Sequence, residues 1–200
     1  RPETGDRRLV TGDRRQKRKE MERIFIVGYM GVGKSTVGRG LAALMGLSFI
    51  DLDQFIQSKY HKSIPDLFKD NGEEGFRTIE RKALIEVSEF EDVIVSTGGG
   101  APCFYDNMTV MNNAGTTVYM KADVEELADR LQASKTVRPL IAGKTREELI
   151  PFISAHLSAR ERFYNEAKII YYTDRLVTKQ QVHITIDGIA QQIKNYRYVK

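Results

Sequence analysis

The sequence predicts an α/β fold of three layers, a mostly parallel sheet covered on both faces by helices. Three observations carry this expectation. From Arg23 onward, short apolar runs of strand length alternate with longer helical stretches, the order that a parallel sheet requires. The first run opens directly into a glycine-rich turn and a helix. No linker rich in Gly, Pro or Ser divides residues 21–200, so they read as one domain.

Taken in order, "IFIVG" (24–28) is the first strand, and a helix is expected from about Lys34 to Met45. "SFIDLD" (48–53) is the second strand. A helical region follows from Gln54 to about Phe90, interrupted at "HKSIP" and at "DNGEEG", where turn residues cluster. "VIVST" (93–97), "TTVYM" (116–120) and "IIYYT" (169–173) complete the strands. Asp123, with Glu126 three residues on, forms a capping pair for a helix running to Gln132. A last helix is expected over roughly 179–196. "FYDNMTVMNN", after the third strand, receives no assignment.

The net charge of +4 invites a nucleic-acid reading, but its location argues against one. Residues 1–20 hold eight Lys/Arg and four Asp/Glu, which accounts for the whole excess, while the other 180 residues carry 23 of each sign. That segment repeats "TGDRR" and has few apolar side chains, so it is expected to be a disordered basic extension. The folded part shows no interleaving of basic and aromatic residues of the kind that binds nucleic acid. No apolar run approaches the ~18 residues of a membrane span. A single cysteine, Cys103, points to a reducing cytoplasm. The three histidines, His61, His156 and His183, lack metal-ligand spacing and read as structural or surface residues.

"GYMGVGKST" (28–36) fits G-x-x-x-x-G-K-[ST] between a strand and a helix, the context this phosphate-binding motif needs. The backbone of Gly31, Val32, Gly33, Lys34, Ser35 and Thr36 would cradle phosphates at a helix N-terminus. Lys34 would neutralise the β- and γ-phosphates, and the Ser35 hydroxyl would ligate Mg²⁺. The motif implies ATP or a similar nucleotide without naming the acceptor.

Five stretches bear on the acceptor. "DLD" places Asp51 and Asp53 on one side at the C-terminal end of the second strand, where open α/β sheets bind ligands. One carboxylate would serve the metal and the other a substrate hydroxyl, although Asp53 also reads as a helix N-cap. Arg77 and Glu80 stand three apart on one helical face, either as a surface ion pair or as a braced guanidinium aimed at a carboxylate. Gly98, Gly99 and Gly100 end the third strand and would let a small polar ligand approach the backbone. "SKTVRPLIAGKT" (134–145) suits a mobile lid that brings Arg138 over the transferring phosphoryl group. Arg160 and Arg162 lie on a late helix, Arg160 one turn before Tyr164, and either also reads as solvated surface.

Together, "GYMGVGKST", "DLD", "SIPDLF…GEEGFRTIE", "STGGG", "VRPL" and "RERFYNEA", in this order and spacing, resemble the shikimate kinases, a branch of the nucleoside-monophosphate-kinase-like P-loop fold. The resemblance covers residues 24 to about 176. It implies five parallel strands in the order 2-3-1-4-5, with substrate-binding helices at about 54–90 and a lid at about 134–146. The implied reaction transfers the ATP γ-phosphate to the 3-hydroxyl of shikimate, in aromatic amino-acid biosynthesis. By match, Lys34, Asp53 and Arg138 are catalytic, with Asp53 the candidate base. Ser35 holds Mg²⁺, assisted by Asp51. Arg77 and Arg160 hold the carboxylate, Glu80 braces Arg77, and Gly98, Gly99 and Gly100 line the ring. Ile64, Phe68 and Phe76 shape the substrate pocket. Adenine contacts fall loosely in "TDRLVTKQQ" (173–181). The expected partners are shikimate and ATP, with no nucleic acid, no membrane and a monomeric chain. Three rivals remain at this point: another small-molecule kinase such as a gluconate kinase, a regulatory relative without activity, and a nucleic-acid binder resting on the basic arm.

Overall fold

The structure, a computed structural model, describes residues 21–134, 139–173 and 175–198. Five strands form one parallel sheet: β1 (Arg23–Val27), β2 (Ser48–Asp51), β3 (Val93–Ser96), β4 (Thr116–Lys121) and β5 (Ile169–Tyr172), in the order β2-β3-β1-β4-β5. The predicted order is therefore the observed one. β1 lies at the centre, with Ile24 beside Ile94 of β3 and Thr116 of β4. Its residues Ile24 to Val27 are fully buried, which explains why it reads as an unbroken apolar run rather than an alternating one.

Helices flank the sheet: α1 (Lys34–Met45), α2 (Leu52–Tyr60), α3 (Ile64–Val87), α4 (Asn107–Ala114), α5 (Val124–Ala133), α6 (Arg146–Tyr164) and α7 (Lys179–Tyr198). Both predicted interruptions of the second helical region are present. His61 ends α2 in the left-handed conformation, and Gly72, at φ 67° and ψ −177°, breaks α3 into two helical pieces.

Three expectations need correction. The second strand stops at Asp51 rather than at residue 53, because the Asp51 carboxylate caps α2 by accepting from the backbone N–H groups of Asp53 and Gln54. Asp51, not Asp53, is thus the N-cap. Asp123 precedes α5 but its side chain makes no capping bond, and Glu126 pairs with Arg130 instead. The capping box belongs to α6, where Thr145 and Glu148 exchange bonds. That box closes the expected lid segment on its C-terminal side. Within the segment, Pro139–Ile141 form a single 3₁₀ turn, while residues 135–138, Arg138 among them, lie outside the described residues, as does the basic segment 1–20. Finally, α4 takes up most of "FYDNMTVMNN" (104–113), which carries no assignment above.

Because every strand runs the same way, the loops after β1, β2 and β3 open on one edge of the sheet. In such sheets ligands bind beyond the carboxyl ends of the strands, and the candidate site lies there.

Candidate active site

The loop from Gly28 to Gly33 ends on the first turn of α1. Gly33 caps the helix at φ 99°, a left-handed value that side chains disfavour. A Cβ there would also stand 2.7 Å from Leu176. Lys34 is buried, and its ammonium donates to the carbonyls of Gly28 and Tyr29 at 2.8 and 2.9 Å. Its charge therefore lies inside the loop. The loop opens on a cleft of about 470 Å³ lined by Gly31, Gly33, Lys34, Ser35, Thr36, Asp51, Asp53, Gly98 and Gly99. Val32, grouped with these in the sequence, is buried, and its carbonyl accepts from Arg130 at 2.8 Å.

Ser35 and Asp51 meet at the mouth of this cleft, the hydroxyl donating to Asp51 Oδ2 at 2.7 Å. Two hard oxygen groups beside a phosphate loop suit magnesium, which takes one or two protein oxygens and completes its shell with phosphate and water. Asp53 lies deeper, in the first turn of α2. The two aspartates converge as expected, but through a helix turn rather than through strand alternation. Burial raises the Asp53 pKa above the ordinary aspartate value, the Asp51 charge adds to this, and Lys34 and Arg77 oppose it.

The pair Arg77–Glu80 is internal. Arg77 Nη1 donates to Glu80 Oε2 at 2.8 Å, with side-chain exposures of 10% and 2%. This decides between the two sequence readings in favour of a buried, braced guanidinium. Desolvation lifts the Glu80 pKa to about 7 against the attraction of Arg77. Three rings surround the guanidinium: Phe104 at 4.0 Å, Phe76 at 5.4 Å and Phe68 at 5.6 Å. Phe76 is buried and stacks on Phe68 with centroids 4.0 Å apart, so it forms the wall behind Arg77.

The glycine triplet is explained by space. A Cβ on Gly98 would stand 2.9 Å from Asp53 Oδ1, and one on Gly99 would press on the Met30 amide at 3.3 Å. One on Gly100 would stand 2.8 Å from both Nη atoms of Arg77. Gly100 has φ −85° and ψ −30°, which any residue adopts, so what a side chain there would have to displace is the guanidinium and not the backbone.

α6 supplies the remaining wall. Residues 156, 160 and 164, each four apart, share one helical face. His156 Nδ1 and the Tyr29 hydroxyl form a hydrogen bond at 3.2 Å, and Tyr164 donates to the Gly99 carbonyl at 2.5 Å. Arg160, half-buried between them, bonds to Tyr164 and acts electrostatically on Glu80 and Cys103. Arg162 is exposed. The structure therefore gathers Lys34, Ser35, Asp51, Asp53, Arg77, Glu80, the triplet and Arg160 around one centre. The sequence gives no site role to Arg130, Tyr29 or Phe104; Tyr164 is noted there only as one turn from Arg160, and His156 holds the structural role expected of it through Tyr29. For Arg130 the only local signal was Glu126 four residues before it, a spacing typical of surface pairs.

A parallel sheet with a phosphate loop after its central strand, a cation in that loop and carboxylates at the next strand's end defines a P-loop nucleotide-dependent phosphotransferase. The comparisons give the branch. Residues 30–193 match the family model described as shikimate kinase. A shikimate kinase of Parabacteroides distasonis is 55% identical over 163 residues, covering 82% of this chain and 94% of that protein. The crystal structure of shikimate kinase from Bacteroides thetaiotaomicron superposes with a TM-score of 0.84 at 44% identity, over 87% of this chain and 99% of that one. Shikimate kinase from Acinetobacter baumannii, solved in complex with shikimate, gives 0.74 at 31% identity, over 88% and 95%. The chain belongs to the shikimate kinase family.

Proposed function

We infer that this chain transfers the γ-phosphoryl group of ATP to the 3-hydroxyl of shikimate, giving shikimate 3-phosphate and ADP in aromatic amino-acid biosynthesis. The observation that carries the reading is the position of Asp53. It stands in the phosphate cleft with Lys34, and its carboxylate reaches the triplet that also bounds the buried Arg77–Glu80 pair. A small acid with a hydroxyl across its ring fits between these two poles.

In this reading, Arg77 and Arg160 hold the substrate carboxylate, and the triplet leaves room for the ring. The 3-hydroxyl oxygen attacks the γ-phosphorus while the bond to the ADP oxygen breaks, and Asp53 takes the hydroxyl proton. A carboxylate whose pKa is raised by burial is a stronger proton acceptor than an ordinary aspartate. The phosphate loop from Gly31 to Thr36 binds the nucleotide, and Lys34 neutralises charge on its phosphates. Ser35 and Asp51 would hold the magnesium ion, which supplies further neutralisation of the phosphate oxygens. Arg138 is assigned from its motif alone, as a lid residue that excludes water. Residues 21–200 form the catalytic domain of this proposal, and 1–20 take no part in the chemistry. The lone Cys103 supports a reducing, cytoplasmic setting, and the chain acts as a monomer in this reading.

ADP release from ATP and Mg²⁺ tests the reading with shikimate, quinate, gluconate, nucleoside monophosphates and no acceptor. Shikimate should give turnover well above every other acceptor. Turnover confined to gluconate or a nucleotide would leave the phosphate loop and discard the acid-binding assignments.

A further inference from the structure

We propose that Phe104 is a positioning residue that fixes the plane of the acid-binding guanidinium, an inference that rests on the proposed function. A guanidinium carries its N–H donors in its plane and none on its faces, so a bidentate grip on a carboxylate demands control of that plane. Arg77 Cζ lies over the Phe104 ring, 4.0 Å from its centroid, a stacking distance. Glu80 takes one in-plane donor at Nη1. Arg77 Nε is sealed from solvent without a hydrogen-bond partner among the described residues. Both Nη atoms abut Gly100, where a Cβ would stand 2.8 Å from each, and Nη2 also lies 3.6 Å from Glu73 Oε1. The ring thus holds the fork with its Nη edge against Gly100 of the triplet.

The segment carrying Phe104 is itself held in place. The preceding 3₁₀ turn, Ala101–Cys103, is tied to the chain beyond it by buried Asn107, whose Nδ2 donates to the Ala101 carbonyl at 2.7 Å. Asn107 Oδ1 accepts from Arg81 at 3.2 Å. Arg81, one turn after Arg77 on α3, also lies 5.4 Å from the Tyr105 ring and pairs with Asp106. Tyr105 has φ 53°, a left-handed value uncommon for an aromatic residue and costly unless the surroundings enforce it. Two successive arginines on one helical face thus meet two successive rings, and the second contact anchors the loop that presents the first.

The test is steady-state kinetics on the full chain for Phe104→Leu, Phe104→Tyr, Arg77→Ala and the double variant Phe104→Leu/Arg77→Ala. Phe104→Leu should raise KM for shikimate about fivefold, a part of the roughly thirtyfold that one whole desolvated cation–π contact is worth, with kcat and KM for ATP changed by less than about twofold. Phe104→Tyr, which keeps the ring face, should restore KM. In the Arg77→Ala background Phe104→Leu should add nothing, because its effect passes through the guanidinium. Where Leu lowers the melting temperature, Phe104→Met keeps the volume without the ring face and takes its place. Unchanged KM in both, or penalties that add in the double variant, would overturn the proposal. If Arg77→Ala itself left KM for shikimate unchanged, the acid-binding reading would fail first, a different result from the other two.

Discussion

At the residue scale the site is governed by what each side chain excludes. Gly100 is bare because Arg77 occupies the space its Cβ would take. Gly100→Ala should therefore displace the guanidinium while the chain still folds, raising KM for shikimate by roughly tenfold, the worth of one charge-assisted hydrogen bond. An unchanged KM in that variant would show that the Nη edge is not the binding surface. Glu80 carries a pH signature. Its pKa rises from 4.5 to about 7 on folding, so below pH 4.5 it is protonated in both states and costs nothing. Between 4.5 and 7 the unfolded chain ionises first and stability falls as pH rises, with the full cost present above 7. Thermal denaturation of Glu80→Gln beside the native chain should show the variant gaining relative stability across that window. A constant difference from pH 4.5 to 8 would contradict the raised pKa. The spacing of Arg77 and Glu80 was legible in the sequence but their burial was not, since a pair three apart looks the same on an exposed helix. Part of the cover comes from Phe68 and Phe76 on the same helix, and the rest from Phe104, in a stretch whose asparagines and β-branched residues give weak helix propensity.

At the element scale, α6 holds the two halves of the cleft together. One face of it meets the phosphate loop through His156 and Tyr29, 127 residues apart, and the triplet through Tyr164 and Gly99, 65 apart. Tyr29 is fully buried, and burial pushes its hydroxyl pKa up to about 12 against the lowering effect of Arg160. It therefore stays neutral at physiological pH and keeps its hydroxyl proton. Tyr29→Phe should raise KM for ATP more than KM for shikimate, and Tyr164→Phe the reverse, each by about two- to tenfold for one buried hydrogen bond. Equal effects on both constants in both variants would mean that α6 moves as an undivided support and does not hold each half separately. No local pattern could have revealed these bonds, because each joins residues that only the completed sheet brings together. Helix and strand positions were legible where periodicity or length carried them. The end of β2 was not, because capping by Asp51 decides whether "LD" continues the strand or starts a helix.

At the scale of the whole molecule, the parallel sheet brings three separate chain segments to one edge, and the reaction assigned here depends on that convergence. The phosphate loop was legible outright, since its chemistry is local: glycines, a lysine and a serine in one turn between a strand and a helix. The proposed acceptor pole was legible only as a combination of motifs, because Asp53, Arg77, Gly100 and Arg160 come together only once α2, the end of β3, α3 and α6 are packed. Asp53 stands where the two poles meet, with a pKa raised by burial and by Asp51. The most direct measurement is therefore shikimate-dependent ADP release by the native chain and by Asp53→Asn, which keeps the shape and removes the proton acceptor. The native chain should turn over shikimate and the variant should lose about 10²- to 10⁴-fold in kcat, the usual contribution of a general base, while still binding both substrates. A variant that retained native kcat would contradict the placement of the base, and with it the way the two poles are joined.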